Sequence, residues 1–103
     1  MFAIAGRLEC APENHDKAAA AMVTMMEETA KEEGCQAYRF SADLSQPGVF
    51  YIFELWDSDE ALKAHFTAAH MVAFQAAYKE CGPTGGDALR YDVSNVGPLR
   101  RPR

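Results

Sequence analysis

The stretch "VFYIFELWDSDEALKAHF", Val49 to Phe66, changes its period in the middle. Up to Trp56 it alternates: Val49, Tyr51, Phe53 and Leu55 fall on one side, and Phe50, Ile52 and Trp56 on the other, as in a strand. From Asp57 the spacing turns helical. Asp57 reads as an N-cap and Glu60, three residues on, as its capping-box partner, so a strand runs into a helix within one residue. Both faces of the strand are apolar except at Glu54. A carboxylate there must find a polar partner or carry a raised pKa, and a structural role is the simpler expectation.

Upstream, "CQAYRFSADL" alternates as a second strand, with Tyr38 and Arg39 on opposite faces, and "SQPG" turns it back as a hairpin. Before it, "APENHDKAAAAMVTMMEETAKEEG" places Ala18, Ala21, Met22, Met25 and Thr29 at helical spacing until Gly34. The opening "FAIAGRLEC" alternates as the first strand. Downstream, Met71, Phe74 and Tyr78 recur helically up to Gly82 and Pro83; the spacing leaves open whether this segment continues the previous helix or breaks near Thr67. "GPTGG" reads as turn material, and "ALRYDVSNV" as the last strand.

The order β-α-β-β-α-β predicts an α+β, ferredoxin-like split βαβ fold, a four-stranded antiparallel sheet with helices on one face. Residues 1–96 form its single domain, and the basic tail 97–103 is expected to be loosely ordered. The third strand's second apolar face has no helix to cover it, which predicts a homodimer.

Composition narrows the function classes. The 103 residues are 49% hydrophobic and carry a net charge of −5 with no basic stripe in the body of the chain, which disfavours nucleic acid as a partner. "MFAIAGRLEC" offers neither a basic leader nor an unbroken apolar run, so no membrane partner is expected and the expected location is cytoplasmic. Cys10, Cys35 and Cys81 are widely spaced without a C-x-x-C pair and read as reduced thiols.

"EEGCQAYRF", "FELWDSDEALKAHF" and "HMVAF" together resemble the antibiotic biosynthesis monooxygenase domain, and most closely its quinol monooxygenase-like members. The resemblance covers nearly the whole chain. It implies a dimeric α+β barrel with a pocket between sheet and helices. It also implies oxidation of a small aromatic quinol or polyphenol by dioxygen, with no cofactor. Such chemistry needs a greasy pocket and a proton acceptor. His65 or His70 is the natural acceptor. Trp56 and Ile52 are expected as floor, Phe66, Phe74 and Tyr78 as walls, and Tyr38 or Arg39 as the group holding an oxyanion. Haem degradation is disfavoured, because the positions its branch fills with Asn, Trp and His hold Gly6, His65 and Gln75.

A five-residue step along a continuous helix turns side chains about 140° apart, so no metal is expected at His65 and His70. Two alternatives stand beside the monooxygenase: an isomerase of a small phosphorylated or carbonyl substrate, which needs Arg or Lys converging on the pocket, and a non-catalytic dimer that binds a small aromatic.

Overall fold

The computed structural model describes residues 1–102. Its strands are β1 (Phe2–Cys10), β2 (Cys35–Ala42), β3 (Val49–Trp56) and β4 (Pro83–Asp92), and its helices α1 (His15–Thr29), α2 (Asp59–Thr67) and α3 (Ala69–Lys79). The sheet is antiparallel in the order β2-β3-β1-β4, so each β-α-β unit leaves a gap that a strand of the other unit fills. This is the split βαβ architecture the alternation predicts.

Register sorts the side chains by face. Phe2, Ile4, Gly6 and Leu8 pair with Trp56, Glu54, Ile52 and Phe50 across β1 and β3, and this side meets the helices. Met22 and Met25 of α1 and Met71 of α3 pack there with Phe40, Phe50, Cys10 and Cys81 to form the core. Burying such apolar surface is the dominant favourable contribution to folding. The opposite face is bare: Tyr51, Phe53, Leu89 and Tyr91 are 40%, 46%, 61% and 51% exposed. Every residue of β4 is exposed, so the helices leave this edge of the sheet uncovered.

Three local details depart from expectation, and one point that the spacing left open is settled. Ser58, not Asp57, caps α2, its hydroxyl accepting from the Ala61 N–H at 3.2 Å. Asp57 instead accepts from the Gln36 side chain at 2.9 Å. The helical stretch breaks at Ala68, whose ψ of 146° is extended. Finally, β4 starts at Pro83, so four of the five residues of "GPTGG" belong to the strand, and only Gly82, with a φ of 72°, stays outside it. Gly86 lies so close to β1 that a Cβ would stand 2.7 Å from the Arg7 carbonyl oxygen, which accounts for glycine there.

The tail residues 97–102 are exposed and outside any helix or strand, and Arg103, the last residue of the predicted basic tail, lies outside the described residues. No helix among the described residues is long and apolar enough to cross a membrane.

Candidate active site

The break at Ala68 brings the histidines together. Because α2 ends there and α3 starts in a new direction, the 140° separation of a continuous helix does not arise. Helix α1 stops at Thr29, five residues before Gly34, and i to i+3 bonds from Lys31 N–H to Glu28 and from Glu32 N–H to Thr29 tighten the chain. That turn delivers Glu32 to both rings. One carboxylate oxygen, Oε2, lies 2.6 Å from His65 Nδ1 and 2.7 Å from His70 Nε2.

A proton in each of these gaps makes both imidazoles donors to Glu32. His65 is 1% exposed and its other nitrogen, Nε2, is buried without a partner, so in that tautomer an unshared lone pair faces the interior. The ring is held by contacts, with centroids 4.9 Å from Trp56 and 5.2 Å from Tyr38. Among the described residues neither imidazole bonds a backbone carbonyl, and His65 lies in the last turn of α2. Glu32, His65 and His70 offer three ligand atoms within 4.8 Å of one another, a donor set that a divalent cation could use. At present those atoms stand at hydrogen-bond separations, and metal bonds of about 2.0–2.2 Å would require them to spread around the ion.

On the helix side of the sheet, next to the uncovered β4, lies a hollow of about 590 Å³. That is within the range of small-molecule sites. Leu8, Phe40 and Ile52 make it apolar, Gly86 and Ala88 keep its β4 wall low, and Glu54 is its buried carboxylate. Glu54 Oε1 accepts from the Trp56 indole N–H at 2.9 Å. Burial raises the Glu54 pKa above the ordinary carboxylate value, with the Trp56 hydrogen bond and the nearby His65 offsetting part of the rise. Arg7 reaches the rim, but its guanidinium is 2.8 Å from Glu9.

The other expected site residues divide. Ile52 lines the hollow. Trp56 is fully buried behind it, joined to it through Glu54, rather than forming its floor. Phe74 and Tyr78 stack on each other at 5.7 Å, and Phe74 touches Phe40 at 5.5 Å, so they back the wall instead of facing the space. Phe74 and His70 line a second, smaller cavity of about 230 Å³ between α1 and α3. Phe66 is 56% exposed because it falls on the outer side of α2. Arg39 is exposed on the face of β2 opposite Tyr38. Tyr38 is half-buried, and burial pushes its phenol pKa well up, so it stays protonated and can donate. Glu32 escaped the sequence reading altogether, lying in a run of acids that looks like solvated surface.

The chain is similar to several known proteins. A sequence profile described as antibiotic biosynthesis monooxygenase matches residues 1–77. The uncharacterized protein sll1783 of Synechocystis is 30% identical over 71 residues, 69% of this chain; the match spans 48% of sll1783, about half its length. YcnE of Bacillus subtilis, named as a candidate monooxygenase, is 23% identical over 91% of this chain and 99% of its own. A solved structure from Deinococcus radiodurans, titled as a candidate antibiotic biosynthesis monooxygenase, superposes with a TM-score of 0.86 at 28% identity. It covers 97% of this chain and 99% of that one.

Proposed function

Since the chain belongs to the antibiotic biosynthesis monooxygenase family, we propose that it oxidises a small aromatic quinol or polyphenol with dioxygen, using no cofactor. The observation that carries this reading is the pairing of an apolar hollow of about 590 Å³ with a carboxylate-backed histidine one ring behind it.

The chemistry asks three things of the protein. It must hold a flat ring away from water, take a proton from it, and give a proton back. Loss of the quinol proton makes the ring rich enough to pass one electron to dioxygen. The resulting radicals join as a carbon–peroxide, and a returned proton completes the hydroperoxide. Departure of water, made from the distal hydroxyl and the ring hydrogen, leaves a new carbonyl. One oxygen atom ends in product and the other in water, and every electron comes from the substrate. Phe40, Ile52 and Leu8 hold the ring. His65, oriented by Glu32 and presenting an unpartnered Nε2, stores the proton, and His70 shares the same carboxylate.

The isomerase alternative is less well supported: Arg7 is the cation lining the hollow, and it is already paired with Glu9. We also infer that the working unit is a homodimer closed through the bare face of the sheet, where Tyr51, Phe53, Leu89 and Tyr91 are exposed.

Oxygen uptake with menadiol tests the reading. The parent chain is expected to exceed the spontaneous rate, and His65→Ala to lose about a hundredfold or more of the excess, the usual scale for a lost proton acceptor. No excess over the spontaneous rate would remove the monooxygenase reading and leave the isomerase and the non-catalytic aromatic-binding protein. Uptake equal to the parent's in both His65→Ala and His70→Ala would remove the histidines from the mechanism.

A further inference from the structure

His65 is sealed behind Trp56 and is absent from the lining of the hollow, so a proton leaving the substrate must first meet something else. We propose that Glu54 is the group that takes it: a catalytic residue whose free carboxylate oxygen accepts the phenolic proton of a substrate lying on Phe40 and Ile52. This rests on the quinol reading given above and adds the residue that touches the substrate.

Three observations carry it. First, position: Glu54 sits two residues before the end of β3, lines the hollow, is joined through Trp56 to the aromatic layer that holds His65, and is 8% exposed. Second, orientation: Trp56 Nε1–H fixes Oε1 at 2.9 Å, and no other hydrogen bond among the described residues reaches the carboxylate, so Oε2 is left for a ligand. Third, surroundings: Leu8, Phe40, Ile52 and Ala88 of the lining cannot solvate a charge, and Arg7, the cation of the lining, is already paired with Glu9, so a carboxylate here gains from receiving a proton. Buried carboxylates with no cation partner are uncommon unless used.

The charged and titratable groups around it are Cys35 and Tyr38 on β2, Glu32 after α1, His65 on α2, Arg7 on β1 and Asp87 on β4, and burial pushes the Cys35 thiol up to about 11, so it too stays protonated. Tyr38 stays protonated, Arg7 is held by Glu9, Glu32 already serves both histidines and Asp87 is exposed on β4, which leaves Glu54 and His65 to handle the proton. In the step itself the substrate O–H bond breaks, a new O–H bond forms on Glu54, and the electron pair remains on the substrate as phenolate. Glu54 returns that proton to the distal peroxide oxygen or passes it to His65 Nε2, the next base inward. Trp56 is a positioning residue in this scheme.

The test uses 4-nitrocatechol, whose phenolate has its own visible absorption, together with Glu54→Gln, which keeps an acceptor for the Trp56 indole. At a pH below the ligand's pKa in water, the parent is expected to bind it as the phenolate. Glu54→Gln is expected to bind it within about threefold of the parent affinity, under 1 kcal/mol, as the neutral phenol. Equal ionisation on both proteins, or none on the parent, overturns the proposal. Should Glu54→Gln not fold, Glu54→Asp replaces it. Withdrawing the carboxylate by one methylene is expected to cut the ionised fraction at least threefold, and an unchanged fraction is again fatal. Ionisation of the ligand without oxygen uptake from menadiol would remove the monooxygenase reading while leaving Glu54 as the acceptor.

Discussion

His65 Nδ1 and Glu32 Oε2 are 2.6 Å apart although 33 residues separate them in the chain. The contact ties the turn after α1 to the last turn of α2, and one carboxylate oxygen serves His65 and His70 together. Glu32→Ala would leave the His65 Nδ1–H without its acceptor in a site that is 1% exposed. The expected cost is about 1–3 kcal/mol, the penalty for an orphaned buried donor. Urea denaturation of the variant at neutral pH measures it. Menadiol-dependent oxygen uptake is expected to fall as well, because the ring loses the partner that fixes its tautomer.

Glu54 gives stability a defined pH dependence. Its folded pKa lies above its reference value of 4.5, so between those two values the folded chain holds more protons than the unfolded one. Stability from this group is therefore fully present below about 4.5 and is lost as pH rises through the folded pKa. Glu54→Gln removes the titration. Denaturation midpoints measured upward from that pH are expected to fall less steeply for Glu54→Gln than for the parent. Parallel profiles would mean that the carboxylate is no less comfortable folded than unfolded. The same ionisation governs turnover with the opposite sign: activity requires the charged form and is lost as pH falls through the folded pKa.

Strands and faces were legible in the sequence because a period of two is local: Phe50, Ile52 and Trp56 declare their side without reference to the rest of the chain. The site was less so. The break at Ala68 lies in "TAAH", with neither Gly nor Pro to mark it, and without the break His65 and His70 point apart. Glu32 belongs to "KEEG", where three acids and bases in a row read as solvent-facing, and only the tightened turn sends one of them inward. Glu54 stood out as a charge on an apolar strand, yet its partner, the Trp56 indole two residues on, supplies one hydrogen bond and no charge, which a sequence cannot distinguish from an ion pair. "GPTGG" was misjudged for a similar reason, since glycines that permit a turn also permit the close strand contact seen at Gly86.

Gly34 shows how narrowly the Glu32 turn is fitted. Its φ is +85°, and a Cβ there would stand 2.6 Å from the Cβ of Ala61 on α2. Gly34→Ala thus combines an unfavourable left-handed backbone with a clash, and is expected to destabilise by about 2 kcal/mol or more. Because the displaced segment also carries Glu32, oxygen uptake should fall with stability. Thermal unfolding and menadiol turnover of this single variant check both, and an unchanged midpoint would show that the turn can relax freely.

The bare face of the sheet yields the remaining expectation. Phe53 is 46% exposed at the centre of β3, opposite Ala5 on β1 and Arg39 on β2, so it has no large apolar neighbour directly across either strand. Tyr51, Leu89 and Tyr91 extend the same surface, and a self-complementary patch of this kind is covered most simply by a second copy related by a two-fold axis. Phe53→Asp would place a carboxylate in that interface, with its image close by across the axis, where like charges repel and neither is well solvated. Light scattering after gel filtration is expected to give a dimer for the parent and a weakening of self-association by at least about tenfold for Phe53→Asp, equivalent to about 1.4 kcal/mol. Far-ultraviolet circular dichroism should be unchanged, since the side chain points away from the core formed by Met22, Met25 and Phe50. A parent chain that runs as a monomer at every concentration would remove the dimer and, with it, any account of why four large apolar side chains face outward.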